Sequence, residues 1–339
     1  MQAERLSQLS NALLDASFRS ELSPLFFDYF GSRVDSKEGL QYELNADSFL
    51  FNRLNMKDKR VLEIGCGFGL RLIVFALLGA KKCVGIDISP ETIGDFQKLS
   101  DRLALDAEAI CGDFLDYDFA EENYDIAIMN ESISHIRDTS QLLTKTKKIV
   151  SPGGCVWIKD CNNGLFLPKK IQVWRQWRRS EHGPIDSKMA AIGRQVDRQP
   201  FFEARVNIIQ HEDSSLDEHT VRQLAKKTQG MFGEEIIKAV EEYKKEQKIS
   251  KKASFRYRNP YTGEYPEFCF NPRALVKELT EWGFKCRLVP PSETCPEAFV
   301  CGGSVVQRSI LKTYIRLVNA SPAAVAALIY PCFTICARN

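Results

Sequence analysis

Short apolar runs recur along residues 60–160, each separated from the next by a longer amphipathic stretch. Residues 60–64 form an apolar run that ends in glycines. Residues 70–78 then read as a buried helix. Residues 82–86 predict a second strand, closed by Asp87. Ser89-Pro90-Glu91 marks a helix start, with a hydroxyl cap, proline in the first turn and an acid beside it. Residues 108–111 and 124–129 predict the third and fourth strands. Asp138 with Gln141 resembles a capping box for a helix through Ile149. Pro152-Gly153-Gly154 should end that helix, and 155–158 should be the fifth strand. Strands alternating with helices imply a parallel sheet joined by right-handed crossovers.

The alternation then stops. Residues 161–270 carry two expected helices, 216–229 and 234–247, and a turn-rich aromatic stretch at 257–265. The pattern resumes at Asn271-Pro272, with a helix to Trp282 and a sixth strand at 284–289. An excursion follows from 290 to 331, and 333–337 should close the sheet as an antiparallel seventh strand. The first 45 residues read as mostly helical and precede the first strand, so they are expected to lie across the ligand edge as a lid. The chain thus divides into a helical lid (1–57), a sheet domain (58–160 and 271–339) and an inserted cap (161–270). The expected class is α/β, with helices on both faces of a mostly parallel, seven-stranded, Rossmann-like sheet.

Composition narrows the function classes. The 339 residues are 44% hydrophobic and 27% charged, with a formal net charge of +2. That balance gives no general attraction to nucleic acid or to anionic membranes. The N-terminal residues do not read as a signal peptide. No apolar run reaches the roughly 18–20 residues that span a bilayer. A cytoplasmic protein is expected. The 11 cysteines contain no CxxC pair, and Cys83, Cys155 and Cys336 sit in strand-like runs, so reduced thiols are expected and no metal site. Trp174 and Trp177 lie three apart among arginines, as on one face of an amphipathic helix. That face could pack on the core, line an acceptor pocket or meet a membrane surface. His182 reads as a turn residue and His211 and His219 as surface residues, and none of the three is expected to be a ligand.

The stretch Val61–Gly69, VLEIGCGFG, places Gly65, Gly67 and Gly69 between a strand and a helix. Glycines there permit a tight turn and close approach of a ligand to the backbone. The spacing is GxGxG, whereas a dinucleotide fingerprint is GxGxxG, which argues against NAD. With an acid after the second strand and Gly112-Asp113 after the third, the chain resembles class I S-adenosylmethionine-dependent methyltransferases of the small-molecule type. That resemblance covers 58–160 and, loosely, 271–339. It implies S-adenosylmethionine as cofactor. Gly65, Cys66, Gly67 and Gly69 would pass its amino-acid and ribose portions, and Glu63 would orient the ammonium. Asp87 would accept from the ribose hydroxyls, with Ile88 beside it. Asp113 would take the adenine amine, with Phe114 next to the ring, and Asn130 would border the site at the fourth strand's end. Asp87 and Asp113 also read as helix or turn caps.

Residues 128–138, IMNESISHIRD, leave the fourth strand on the same edge. Asn130-Glu131 stands where nucleobase amino-methyltransferases carry a Pro-Pro-aromatic motif, which argues against a DNA amino target. His135 and Asp160 are similar in setting to the histidine and aspartate of O-methyltransferases that act on sugars in natural products. They are the catalytic candidates, His135 as base and Asp160 as its partner or as a contact to the acceptor. A packed, structural His135 is the competing reading. Four functions remain open at this point: O-methylation of a small molecule, C- or N-methylation of a metabolite or lipid by positioning alone, non-catalytic cofactor binding by a regulatory protein, and methylation of RNA, against which the near-neutral charge weighs.

Overall fold

A computed structural model describes residues 2–119, 123–136, 138–183, 199–250, 252–253, 255–263, 265, 267–294 and 305–339. Seven strands form one sheet: β1 (Arg60–Ile64), β2 (Lys82–Asp87), β3 (Ala107–Cys111), β4 (Tyr124–Asn130), β5 (Val150–Asp160), β6 (Lys285–Leu288) and β7 (Phe333–Arg338). Their order is β3-β2-β1-β4-β5-β7-β6. The ladders from β3 through β5 are parallel, and β7 runs antiparallel to both β5 and β6. The chain order reverses between β1 and β4, so a ligand crevice opens beyond the carboxyl ends of those two strands.

Strand side chains alternate between two apolar cores, as the pleat requires. Val61, Cys83, Ile126, Ile128 and Trp157 face one core. Leu62, Ile64, Val84, Ile86, Ala127 and Met129 face the other. The first core is covered by α1 (Gln2–Leu14), α2 (Ala16–Arg19), α3 (Pro24–Phe30), α4 (Lys37–Arg53), α5 (Leu70–Leu78) and α6 (Pro90–Arg102). The second is covered by α7 (Thr139–Ile149) and by a helix at 272–281.

The helix starts follow the caps read from sequence. Ser89 accepts from the Thr92 amide, Asp138 from the Gln141 amide at 2.9 Å, and Asn271 from the Arg273 and Ala274 amides. The first 57 residues are not a separate body. Leu9, Leu13, Phe26, Leu40 and Leu44 are buried in the same core as α5, so this segment belongs to the sheet's own compact unit, Met1–Lys169 with Cys269–Asn339.

Two strands differ most in length from expectation. β5 begins at Val150, and Gly153-Gly154 lies inside it at a register shift against β4. Gly153 adopts φ +76°, and its amide bonds to the Asn339 carbonyl at 2.9 Å. Reciprocal bonding, with the Asn339 amide returning to the Gly154 carbonyl at 3.0 Å, therefore holds this glycine pair within the strand. β6 is one residue shorter at each end than the apolar run suggested.

The second unit, Lys170–Phe268, has its own small core around Ile209, Leu224, Ile236 and Val240. It contains most of α8 (Leu167–His182), then α9 (Phe201–Glu212), α10 (Glu218–Lys227) and α11 (Glu234–Glu246). Among the described residues the two expected helices are present and two more precede them. Trp177 packs among Phe255, Tyr257 and Phe268 and donates to the Glu267 carbonyl at 2.8 Å, whereas Trp174 is half exposed. The two indoles therefore do not share one environment. Numbering continues with α12 (Pro272–Glu281), α13 (Val305–Ala320) and α14 (Ala323–Ile329). Among the described residues no helix is long and apolar enough to cross a membrane.

Candidate active site

The glycine loop sits at the sheet's point of reversal, and each glycine has a separate physical reason. All three have positive φ, which disfavours any side chain. A β-carbon on Gly65 would lie 2.4 Å from Ser132 Cβ, and one on Gly69 would lie 2.3 Å from the Phe96 ring. Gly67 meets nothing within 4 Å, so its open side faces space a ligand can fill. The loop is pinned from both sides. Gly65 and Cys66 amides bond to the Ile86 carbonyl, and the Ser132 hydroxyl bonds to the Ile64 carbonyl at 2.6 Å. The Cys66 thiol is partly buried beneath the loop, and burial pushes its pKa well up.

Asp87 fixes the next wall. One carboxylate oxygen accepts from the Gly67 amide at 3.0 Å and the other from the Ser89 amide at 2.9 Å. It joins loop to helix and still presents lone pairs to the crevice. Ile88 beside it is 42% exposed, an open apolar surface at this edge. Asp113 is exposed and caps the Leu115 amide at 2.8 Å. Phe114 corrects an expectation. Its ring is buried against Phe119, with the Lys145 ammonium over it, and it belongs to the core rather than to the crevice.

Glu63 is 2% exposed and pairs with Arg71, 2.5 Å from Nη1. Arg71 Nε also reaches Asp47 on α4 at 2.9 Å. The Asn130 amide, turned to accept, places its oxygen 3.3 and 3.2 Å from the same guanidinium. The other Glu63 oxygen is buried with no hydrogen-bond partner. Burial raises the Glu63 pKa, Arg71 opposes the rise, Asp47 adds to it, and the result is about 7. A buried carboxylate oxygen with unused capacity beside an open glycine loop is fitted to accept from a ligand's cation. Arg71, Asp47 and Tyr29 were not singled out from the sequence. They are distant in the chain, and only the first-turn position of Arg71 on α5 hinted at its reach.

The turn after β4 builds another wall of the crevice. Glu131 adopts φ +56°, unusual for a non-glycine residue, and its carboxylate accepts from the Cys161 thiol at 3.3 Å. Tyr29 on α3 packs 5.5 Å from Phe68 of the glycine loop. Its ring is half exposed, yet its phenol pKa is raised, first by desolvation and then by the Glu131 carboxylate. Asp95 anchors the start of α3 through the Ser23 amide and hydroxyl, which holds Tyr29 over the loop.

His135 is exposed at the end of a 3-10 turn, Ile133–His135. Asp160 is fully buried. One oxygen accepts from the Ser134 amide at 3.1 Å and the other from the Asn162 amide at 2.8 Å. Burial raises its pKa. Both Asp160 oxygens are therefore taken up by backbone amides, whereas one sequence expectation had the carboxylate contact an acceptor. It orients the backbone that carries His135, because its edge position is right but its side chain turns inward. His182, His211 and His219 are exposed in the second unit.

Residues 55–227, just over half of the chain, match the family described as "Methyltransferase domain". The chain belongs to that family. It carries an S-adenosylmethionine-dependent methyltransferase domain, and the match continues past Asp160 into the insertion, which the sequence resemblance did not cover. The chain is similar to a ubiquinone biosynthesis O-methyltransferase of Paraburkholderia phymatum, 34% identical over 130 residues, covering 37% of this chain and 54% of that one. A second protein of that name, from Burkholderia vietnamiensis, is 33% identical over 116 residues, covering 33% and 48%. The chain thus spans about half the length of the curated relatives it matches. Among solved structures, a geranyl diphosphate C-methyltransferase from Streptomyces coelicolor A3(2) is 19% identical, covers 35% of this chain and 45% of its own, and has a TM-score of 0.33.

Proposed function

We propose that the protein transfers a methyl group from S-adenosylmethionine to a hydroxyl of a small molecule, with His135 as general base. The cradle fits the cofactor's polar groups. The spare Glu63 oxygen would accept from its ammonium, Asp87 from its ribose hydroxyls, and Ile88 would flank its base. When bound, the cofactor supplies a methyl group on a cationic sulfur, an electrophile that needs alignment rather than activation. A hydroxyl is a weak nucleophile, so a base that takes its proton during attack lowers the barrier. His135 is an exposed imidazole at this edge, and its turn is fixed by the fully buried Asp160. That exposed imidazole, on a backbone turn held by Asp160, is the observation that carries the reading. The matched relatives are named for O-methylation in ubiquinone biosynthesis, so ring hydroxyls are the first acceptor class to try.

The test incubates the protein with methyl-labelled S-adenosylmethionine and a panel of phenols, catechols and aliphatic amines, and maps the label in the product. Label on oxygen, with His135→Gln lowering kcat by about 10²-fold or more while S-adenosylhomocysteine affinity is retained, supports the proposal. Label on carbon or nitrogen, or undiminished turnover by His135→Gln, refutes it.

A further inference from the structure

A cavity of about 380 Å³ opens at the sheet's other edge, by the amino ends of β4 and β5. Arg53, Lys59, Arg287 and Arg338 line it, together with Asp125. Glu293 bridges Arg53 and Arg287, so four cations face two carboxylates and the cavity is net positive. Two thiols lie in its wall. Cys155 Sγ and Cys336 Sγ are 3.5 Å apart on adjacent antiparallel strands, where Cys336 pairs with Trp157 and Cys155 with Arg338. Both cysteines are unoxidised. A disulfide needs about 2 Å between sulfurs, and the diagonal placement leaves roughly an ångström and a half to close.

We propose that this cavity is a thiol–disulfide exchange site for an anionic disulfide, in which Cys336 is the attacking thiol and Cys155 the resolving one. Either thiol can donate across the 3.5 Å contact; with Cys155 as donor the bond stabilises the Cys336 thiolate, and Arg287, Arg338 and Arg53 reinforce it against the opposing effect of burial. Cys155 is correspondingly raised and keeps its proton. With oxidised glutathione as the disulfide, the Cys336 thiolate attacks one sulfur, forms a mixed disulfide and releases one glutathione thiolate. Cys155 then loses its proton and attacks the Cys336 sulfur. A Cys155–Cys336 bond forms and the second glutathione thiolate leaves. Two protein thiols are oxidised and one glutathione disulfide is reduced to two glutathiones. The guanidiniums serve twice, by favouring the thiolate and by attracting a carboxylate-bearing partner. The site shares no residue with the cofactor cradle, so it stands apart from the proposed methyl transfer.

The test treats the full chain at neutral pH with oxidised glutathione, and in parallel with the neutral 2-hydroxyethyl disulfide. Acid-quenched samples are digested and mapped by mass. Exposed Cys111 is the internal standard for ordinary reactivity. The expected result is a Cys155–Cys336 cross-link with the loss of two hydrogens, formed about tenfold faster with the anionic reagent once normalised to Cys111. That preference should be lost in Arg287→Gln/Arg338→Gln. Cys155→Ser should stop at a glutathione adduct on Cys336. Absence of the cross-link after Cys111 has fully reacted overturns the proposal. So does equal reaction with both reagents, or an adduct on Cys155 in Cys336→Ser that forms as fast as that on Cys336. The wild-type map decides even if a variant fails to fold.

Discussion

Two buried ion pairs, one in each unit, are alike in pairing an arginine with a buried glutamate and differ in what they leave unsatisfied. Arg205 and Glu181 in the second unit are 0% and 2% exposed. Both Glu181 oxygens take guanidinium N–H groups, and Arg205 Nε donates to the Ala225 carbonyl at 2.8 Å. Every strong acceptor there is used. Glu63 and Arg71 lie at the crevice, and there one carboxylate oxygen is unpartnered while the guanidinium is shared among Glu63, Asp47 and Asn130. A saturated pair holds a fold together. A pair with capacity left over, beside open backbone, is arranged to receive something else. Burial alone does not distinguish a site from a strut, but unspent hydrogen-bonding capacity does.

The largest effect should come from breaking the saturated pair. Arg205→Met leaves Glu181 buried without its partner, and the expected loss of stability is about 3–5 kcal/mol. Denaturant unfolding monitored at the second unit's tryptophans should show it. Glu181→Leu combined with Arg205→Met removes both charges and should recover much of the loss, because well-packed apolar residues can replace such a pair. If the single change is mild, the pair is not the strut described, and the contrast with Glu63 collapses.

Next in size is the unsaturated pair, where the cost should appear in binding. Glu63→Gln should weaken S-adenosylhomocysteine by about tenfold, the scale of a lost hydrogen bond to a charged group, with the fold retained. The pH profile sharpens this. Glu63 is raised from the ordinary 4.5 to about 7 in the folded protein. Between those values the folded chain holds a proton that the unfolded chain has released. This group's contribution to stability therefore falls as pH rises from 4.5 to 7 and levels off above, the reverse of an exposed salt-bridged acid. Ligand affinity should move the other way, rising as pH passes 7 and the carboxylate becomes available to the ligand's ammonium. Calorimetric titration of S-adenosylhomocysteine between pH 6 and 8 should show the rise in the native protein. A flat profile in the native protein, or the same slope in Glu63→Gln, removes Glu63 from the cradle.

The sheet was legible because its signals are local. Alternating apolar runs, the Ser89-Pro90 and Asn271-Pro272 caps and the glycines at 65, 67 and 69 each declare a conformation within a few residues. The edge positions of Asp87, His135 and Asp160 followed from strand ends. The direction of a side chain did not. Asp160 ends its strand as expected yet turns inward to the Ser134 amide, because a buried carboxylate satisfied by two backbone amides is stable there. Phe114 likewise belongs to the core. Arg71, Asp47 and Tyr29 escaped notice because they reach the site across 8 to 34 positions of chain from Glu63, and no spacing rule announces such contacts. The basic cavity was least legible, since its lining comes from separate segments between Arg53 and Arg338.

The smallest effect tests whether burial is needed at all for an ion pair to matter. Arg222 and Glu218 sit four apart on α10, with Nε to Oε1 at 3.1 Å, and their side chains are 44% and 80% exposed. Water competes for both charges, salt screens them, and holding two long side chains together costs rotamer entropy. Arg222 also has Glu203 at 3.3 Å, so it keeps a partner if Glu218 is lost. Glu218→Gln should leave the thermal midpoint within measurement error of the native protein at physiological ionic strength, and identical to it in high salt. A salt-insensitive destabilisation approaching that of Arg205→Met would mean that proximity, rather than desolvation and unmet hydrogen bonding, sets the worth of these pairs. The distinction between Glu181 and Glu63 would then have to be sought in something other than what each leaves unpaired.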